Sequence, residues 1–215
     1  MDKIHFMTPC YGGNITEACF NSYIQWTAFA VKNEIPFDLD TLANESNVNK
    51  ARNSCVARFL AGDATHLMFV DADIQWTSES IVKLMSNNVD VVGGIYPQKV
   101  LPPKMVVNTI TNGKHKKNLL EVGTIGTGFL LIKRLVFETM IDQGAQKYRD
   151  ATGAAYDFFN CTIDSKGHYL TEDWSFCRRW RQLGGTVYAD TTVPLAHVGY
   201  HRFMPDMGAI KIGHS

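Results

Sequence analysis

Over the first hundred residues, short apolar runs take turns with helical stretches. His5–Thr8 is an apolar run closed by Pro9, and it reads as a strand leading into a loop, Tyr11-Gly12-Gly13-Asn14. Thr16 is placed to cap a helix, with Glu17 in its first turn and Ala18, Phe20, Tyr23, Ile24, Trp26 and Thr27 along it. Phe37–Ala43 alternates apolar and polar residues, as a second strand does. Val48–Leu60 predicts a helix with Val48, Ala51, Cys55, Val56 and Phe59 on one face. Leu67–Val70 is continuously apolar, the pattern of a strand covered on both faces. Thr77 or Ser78 then caps a helix carrying Ile81, Val82, Leu84 and Met85, and Asp90–Ile95 is a fourth strand. This alternation predicts an α/β chain built on a mainly parallel, twisted sheet.

After residue 100 the rhythm changes. Met105–Ile110 and Leu119–Val122 flank Asn112-Gly113 and read as a hairpin. Gly126-Thr127-Gly128 leads into a buried strand, Phe129–Ile132, and a helix near Leu135–Ile141. Tyr148–Gly167 is polar and aromatic with no clear period. Thr171 caps a helix, Glu172–Leu183, closed by Gly184-Gly185. Thr186–Ala189 is a further strand, Val193–Val198 is extended, and the tail after His201 is weakly patterned.

Composition narrows the class. The 215 residues fit one domain, with or without a small appendage, and 45% apolar with 20% charged residues is ordinary globular usage. Net charge is zero, from 21 basic and 21 acidic residues, which argues against a nucleic-acid partner. The one basic cluster, Lys114 to Lys117 around His115, follows the Asn-Gly turn and reads as a solvated loop tip. Five scattered cysteines, Cys10, Cys19, Cys55, Cys161 and Cys177, form no CxxC pair, so neither a disulfide framework nor a zinc site is expected. No apolar run approaches the roughly 18 residues that span a bilayer. The expectation is a cytoplasmic protein without a membrane span.

The chemistry starts at Asp71-Ala72-Asp73. Residues two apart in an extended chain point the same way, so the pair presents two carboxylates at the carboxyl end of a strand, where open α/β sheets bind ligands. Two hard oxygen donors suit Mg²⁺ or Mn²⁺ carrying phosphate oxygens. Chance alone supplies such triplets, but two close carboxylates are costly to keep ionised without a cation. Downstream, Thr171-Glu172-Asp173-Trp174 opens a helix, where the dipole favours ionised acids, although an acid there is also a common helix start. The face Trp174, Cys177, Trp180 and Leu183 reads as core. His197, in an apolar extended segment, is either a satisfied core residue or a metal ligand, with His201 and His168 as rivals. Gly123–Gly128 offers close approach to a sugar or simply a tight turn.

Taken in order, these pieces resemble a known family. Met7-Thr8-Pro9-Cys10-Tyr11 follows a first strand. Lys50-Ala51-Arg52-Asn53 lies on the second helix, and Phe69-Val70-Asp71-Ala72-Asp73 comes next. Gly126-Thr127-Gly128-Phe129, Glu172-Asp173-Trp174-Ser175-Phe176 and His197-Val198-Gly199 complete the set. Across nearly the whole chain this resembles the GT-A class of nucleotide-sugar glycosyltransferases. It is similar above all to small virus- and phage-encoded members, the N-terminal domain of a chlorella virus glycosyltransferase among them.

The resemblance implies a GT-A (Rossmann-like) three-layer αβα sandwich around a mainly parallel mixed sheet. It implies a single domain over 1–215, with a nucleotide-binding half (1–100) and an acceptor and catalytic half (101–215), open to being part of a longer protein. Thr8, Cys10, Tyr11, Arg52, Asp71 and Ala72 would serve the nucleotide. Asp71, Asp73 and His197 would hold Mn²⁺ or Mg²⁺. Gly126, Gly128 and Trp174 would face the sugar or acceptor, and Asp173 with Glu172 would lie by the acceptor hydroxyl. The implied reaction is metal-dependent transfer from a UDP-hexose or UDP-deoxyhexose, such as UDP-glucose or UDP-rhamnose, to a glycan or glycoprotein hydroxyl, in a host's cytoplasm if the protein is viral.

Other readings compete. A haloacid-dehalogenase phosphatase also ends an apolar strand in Asp-x-Asp, but it needs a later Gly-Asp metal motif, and Gly62-Asp63 precedes the pair. A sugar-phosphate nucleotidyltransferase opens with an Arg-containing Gly-rich loop, and Tyr11-Gly12-Gly13-Asn14 lacks the Arg. A catalytically silent carbohydrate- or nucleotide-binding module on the same fold also fits.

Overall fold

The computed structural model describes residues 2–110, 113–150, 153–199 and 202–205. Asn112 of the Asn-Gly turn, His201 and most of the tail lie outside them. The first half runs β1 (Ile4–Cys10), a 3-10 turn (Tyr11–Gly13), α1 (Glu17–Lys32), β2 (Phe37–Ala43), α2 (Val48–Ala61), β3 (His66–Val70), β4 (Ile74–Gln75), α3 (Ser78–Ser86) and β5 (Val91–Gly94). The second half runs β6 (Val107–Thr109), β7 (His115–Lys116), β8 (Leu119–Ile125), β9 (Phe129–Lys133), α4 (Arg134–Asp142), β10 (Lys147–Asp150), β11 (Gly153–Tyr156), β12 (Thr162–Ile163), β13 (Tyr169–Leu170), α5 (Glu172–Gln182), β14 (Val187–Asp190), β15 (Ala196–Val198) and β16 (Arg202–Phe203).

One large sheet has the strand order β2-β1-β3-β9-β5-β14-β8-β6, with β7 beside β8. β1 is parallel to β2 and β3, and β14 is parallel to β5. β9 is antiparallel to both of its neighbours, β3 and β5, so the sheet is mixed and the two halves of the chain share it. Because β9 runs backwards, its first residue pairs with the last of β3 (Val70↔Phe129). That register sets Gly126-Thr127-Gly128 against the segment leaving β3.

Alternation along the buried strands builds three layers. Leu67 and Phe69 face a core with Phe59 of α2, Phe137 of α4 and Phe176 and Trp180 of α5. Met68 and Val70 face the other core, with Trp26 of α1, Ile81 and Leu84 of α3, and Phe6 stacked on Trp76 at 5.8 Å. This is the three-layer α/β arrangement that the sequence led one to expect.

Several local readings are sharpened. Thr16 caps α1 by accepting from the Cys19 N–H. β1 continues through Pro9, because its pairing with β3 ends at Met7 and the missing N–H falls on the free side. Val48 and Val82 are exposed, whereas Arg52 and Asn53 are buried. The unpatterned stretch after residue 146 forms two small hairpins, β10-β11 and β12-β13. They are tied in by Asn53, whose side-chain oxygen accepts from the N–H groups of Phe158 and Phe159, both at 3.0 Å. The five cysteines are free, and burial pushes the Cys19, Cys55 and Cys177 thiols up to about 12. Among the described residues no helix is long and apolar enough to cross a membrane.

Candidate active site

The carboxyl ends of β1 and β3 open on a cleft of about 490 Å³. Arg52, Asp71, Ala72 and Asp73 line it, together with Tyr11 and Lys99. Three separate parts of the fold pin its carboxylate turn. The Ala72 carbonyl accepts from the Thr16 N–H (2.8 Å) and hydroxyl (3.1 Å) at the start of α1. The Asp71 N–H donates to the Gly128 carbonyl (2.9 Å), and the Val198 N–H donates to the Asp73 carbonyl (2.8 Å).

The two carboxylates have different partners. Arg52, only 4% exposed, donates from Nη2 to Asp71 Oδ1 at 3.1 Å and from Nε to Glu172 Oε1 at 3.4 Å. Burial works against its charge, but the Asp71 and Glu172 carboxylates outweigh it and hold the guanidinium pKa above its ordinary value. Its Nη1 is buried with no partner among the described residues. Asp73 instead meets Lys99 Nζ at 2.6 Å and His197 Nε2 at 3.3 Å. Burial raises the Asp73 pKa, and a charged His197 together with Lys99 more than reverses it, leaving the group below its ordinary value.

His197 reaches Asp73 because β15 pairs with β4, in the register His197↔Ile74. Its Nδ1 lies 2.8 Å from the Pro97 carbonyl, which can only accept, so Nδ1 carries the proton. When the ring is charged its Nε2–H donates to Asp73, and when it is neutral the Nε2 lone pair faces the same space, the orientation of a metal-ligating histidine. Among the described residues no three His, Cys, Asp or Glu side chains form a ready metal cage. One carboxylate oxygen and one imidazole nitrogen, already adjacent, fit a hard divalent cation that takes its other ligands from phosphate and water.

Of the remaining expected residues only Tyr11 lines the cleft, and Thr8, Cys10, Gly126, Gly128, Asp173 and Trp174 do not. Tyr11 is 76% exposed and lines the cleft, carried by Gly12 (φ 67°) and Gly13 (φ 72°) in the left-handed region that glycine tolerates. Thr8 and Cys10 are buried behind the cleft wall. The Thr8 hydroxyl bonds the Tyr23 hydroxyl at 2.5 Å, and Cys10 Sγ donates to the Thr8 carbonyl at 3.5 Å. Asp173 opens α5 beside Glu172, and its Oδ1 accepts from the Trp174 N–H at 2.8 Å and from the Thr171 hydroxyl at 2.5 Å. Burial nonetheless raises its pKa above the ordinary aspartate value. Trp174 is partly exposed and lines a separate groove, while Cys177 and Trp180 of the same helix are core. Gly126 and Gly128 give up their side-chain space to the buried Tyr96 hydroxyl. His168 pairs with Asp164, away from this cleft.

Two contributors escaped the sequence reading. Lys99 lies five residues past the end of β5, where the carboxyl-end rule for α/β sheets was available as a signal. Tyr96 stands edge-on to His197, with ring centroids 5.5 Å apart, and no local pattern marks it.

No protein-family profile and no curated protein matches the chain. Solved structures do. The chain is similar to protein A197 from STIV (TM-score 0.58, 21% identity, covering 100% of this chain and 99% of that one). It is also similar to Drosophila β-1,4-galactosyltransferase 7 in complex with manganese, UDP-Gal and xylobiose (TM-score 0.52, 13% identity, 96% and 76%). A third similarity is to GalNAc-T7 with UDP, GalNAc and Mn²⁺ (TM-score 0.50, 10% identity, 94% and 44%). The chain has the fold of the GT-A glycosyltransferases.

Proposed function

We propose that this protein is a divalent-metal-dependent glycosyltransferase that moves a sugar from a nucleoside diphosphate sugar to a glycan hydroxyl. The observation that carries the reading is the division of the carboxylate pair within one cleft. Asp71 orients a buried arginine that still has a free donor, and Asp73 faces a lysine and the lone pair of a histidine.

In this reading the exposed Tyr11 ring packs on the base, and residues 1–100 serve the nucleotide. All of the cleft lining except Val198 and Gly199 comes from residues up to Lys99, which supports that assignment. Arg52 Nη1 and Lys99 Nζ donate to the diphosphate and hold its charge. Asp73 and His197 would hold Mn²⁺ or Mg²⁺, and such a cation, when bound, supplies Lewis-acid relief of charge on the departing diphosphate. Asp71 keeps Arg52 in register rather than serving as the principal cation ligand. Asp173 takes the proton of the acceptor hydroxyl if the reaction inverts the anomeric centre, and positions that hydroxyl if it retains configuration. Residues 101–215 thus supply the chemistry and the acceptor side.

The donor is proposed as a UDP-hexose or UDP-deoxyhexose, motivated by the neighbours bound to UDP-Gal or UDP with manganese, and the acceptor as a glycan or glycoprotein. A thermal-shift panel of UDP-, GDP- and ADP-sugars with and without Mn²⁺ tests the reading, because a ligand that binds only the folded state raises its stability by mass action. A metal-dependent shift with UDP-sugars is expected. No shift with any nucleotide sugar would overturn the proposal. A shift without turnover or hydrolysis of any bound sugar would leave the silent binding module in its place.

A further inference from the structure

A second groove, of about 380 Å³, lies on the outward side of α5. Trp174, Arg178 and Arg181 line it at positions i, i+4 and i+7, which places them on one face of the helix. The adjoining face, Phe176, Cys177 and Trp180, is buried in the core. The opposite wall includes Gly123 of β8, where a side chain would start 3.1 Å from Ile110 Cγ2 and 3.8 Å from Arg181 Nη1, so the glycine lets the Arg181 guanidinium lie close to the strand. Gln182 at the rim adds an amide that can donate and accept. A partly exposed indole, two guanidinium groups and an amide are the means by which proteins hold a sugar ring that carries negative charge. The ring stacks on the indole, and the anion takes the planar guanidinium fork.

The bland alternative for the arginines is helix capping, since cations favour the last turn of a helix. Arg179 has such a structural role, with Nη1 donating to the Asp157 carbonyl at 2.6 Å and Nη2 to Asn160. Arg178 is only half committed, to Asp164 at 3.5 Å. Among the described residues no carboxylate pairs with Arg181. Capping also does not account for Trp174, a full turn earlier. The groove is therefore net positive, in a chain whose formal charge is zero.

We propose that this groove binds an anionic sugar residue, carboxylated or phosphorylated, of the acceptor chain. The inference rests on the reading of Asp173 as the group beside the acceptor hydroxyl, because the groove begins at the next residue along α5. An acceptor held by Trp174 and Arg181 presents its neighbouring hydroxyl toward the catalytic end of the helix. The specificity is thus for the sugar's charge, and it is separate from the donor cleft.

The test reads Trp174 directly. Trp26, Trp76 and Trp180 are at most 5% exposed, so quenching by the neutral quencher acrylamide reports mainly Trp174, with Trp174→Phe as the baseline. Methyl β-glucuronide, glucose 6-phosphate and methyl β-glucoside are titrated with no donor present, and again with UDP and Mn²⁺ filling the first cleft. One or both anionic sugars are expected to protect Trp174 in either case, at least about fivefold more tightly than the glucoside, and more weakly as salt rises. Arg181→Met is expected to weaken that binding about tenfold and to leave the glucoside unchanged. Equal protection by all three sugars, no protection by any, or displacement by UDP and Mn²⁺ would each overturn the proposal. Because no donor turnover is read, failure of the transferase reading shows separately, as protection of Trp174 by an anionic sugar in a protein that no nucleotide sugar stabilises.

Discussion

The Gly128 N–H donates to the Tyr96 hydroxyl at 2.9 Å, and that hydroxyl fills the space where a side chain at position 128 would begin. A Cβ at 128 would lie 2.5 Å from Tyr96 Oη and 2.8 Å from Asp71 Oδ2. The glycine is thus a packing partner of a buried phenol, and it also sets how closely β9 approaches the first carboxylate. Tyr96 in turn stands against His197, so one ring couples the glycine segment to the proposed cation ligand.

Gly128→Ala should therefore lower stability by about 1–3 kcal/mol, the range for forcing extra volume into a packed site. Tyr96→Phe removes the obstructing oxygen but leaves the Gly128 N–H unpaired. The double variant should be more stable than the sum of the single losses implies. Urea denaturation of the four proteins measures that coupling. Strict additivity would show that the two residues do not share the space.

Arg52 gives the second expectation. Replacing it with Met leaves Asp71 and the largely buried Glu172 facing each other's side of the site without their shared cation. Removing one partner from a buried pair costs about 3–5 kcal/mol, and the partial exposure of Asp71 places this loss at the lower end. Arg52→Lys keeps the charge but cannot span two carboxylates, so it should recover only part of the loss. Both variants should weaken UDP binding. A Lys variant with wild-type stability and nucleotide affinity would contradict the bridging role.

What the sequence made legible was local. Leu67–Val70 running into Asp71-Ala72-Asp73 announces a buried strand with acids at its end, and Thr16 and Thr171 mark helix starts by residue type alone. An apolar run carries no sign of its direction, so nothing in Phe129–Ile132 revealed that β9 runs against its neighbours. The hairpins after residue 146 had no period to read, and the junction between them, at Phe158 and Phe159, is held by Asn53 about a hundred positions earlier. Thr8 was readable in hindsight. It shares a strand face with Ile4 and Phe6, which places its hydroxyl among the core aromatics on Tyr23 instead of in the cleft.

The third expectation concerns metal. Asp73→Asn and His197→Ala should each abolish the Mn²⁺-dependent part of any nucleotide-induced thermal shift, and excess EDTA should do the same to the wild type. Lys99→Met should behave differently. It frees Asp73 from a 2.6 Å ion pair, so Mn²⁺ alone should bind more tightly, while UDP affinity falls through loss of a phosphate donor. Calorimetric titration of Mn²⁺ and of UDP separates the two effects. Parallel weakening of both would remove Lys99 from the phosphate side of the site.

The last expectation is a pH dependence. Burial holds the Asp173 pKa above its unfolded value, so between the two values the folded protein binds more protons than the unfolded chain. Stability from this group is therefore full below the ordinary aspartate pKa of 3.8 and declines as pH rises through the raised folded value. Asp173→Asn removes this slope, so the variant should gain stability relative to wild type as pH rises through that window. Activity runs the opposite way. If Asp173 is the general base of an inverting transfer it must be ionised, so the acid limb of kcat/KM should lie above the ordinary aspartate value and vanish, with the activity, in the Asn variant. In the proposed role of general base, the same carboxyl trades folding stability at neutral pH for proton-accepting strength. Coincidence of the upper end of the wild-type stability decline with the midpoint of the acid limb of its kcat/KM profile would identify Asp173 as the titrating group in both. An Asn variant that keeps both the slope and the limb would assign them to another residue.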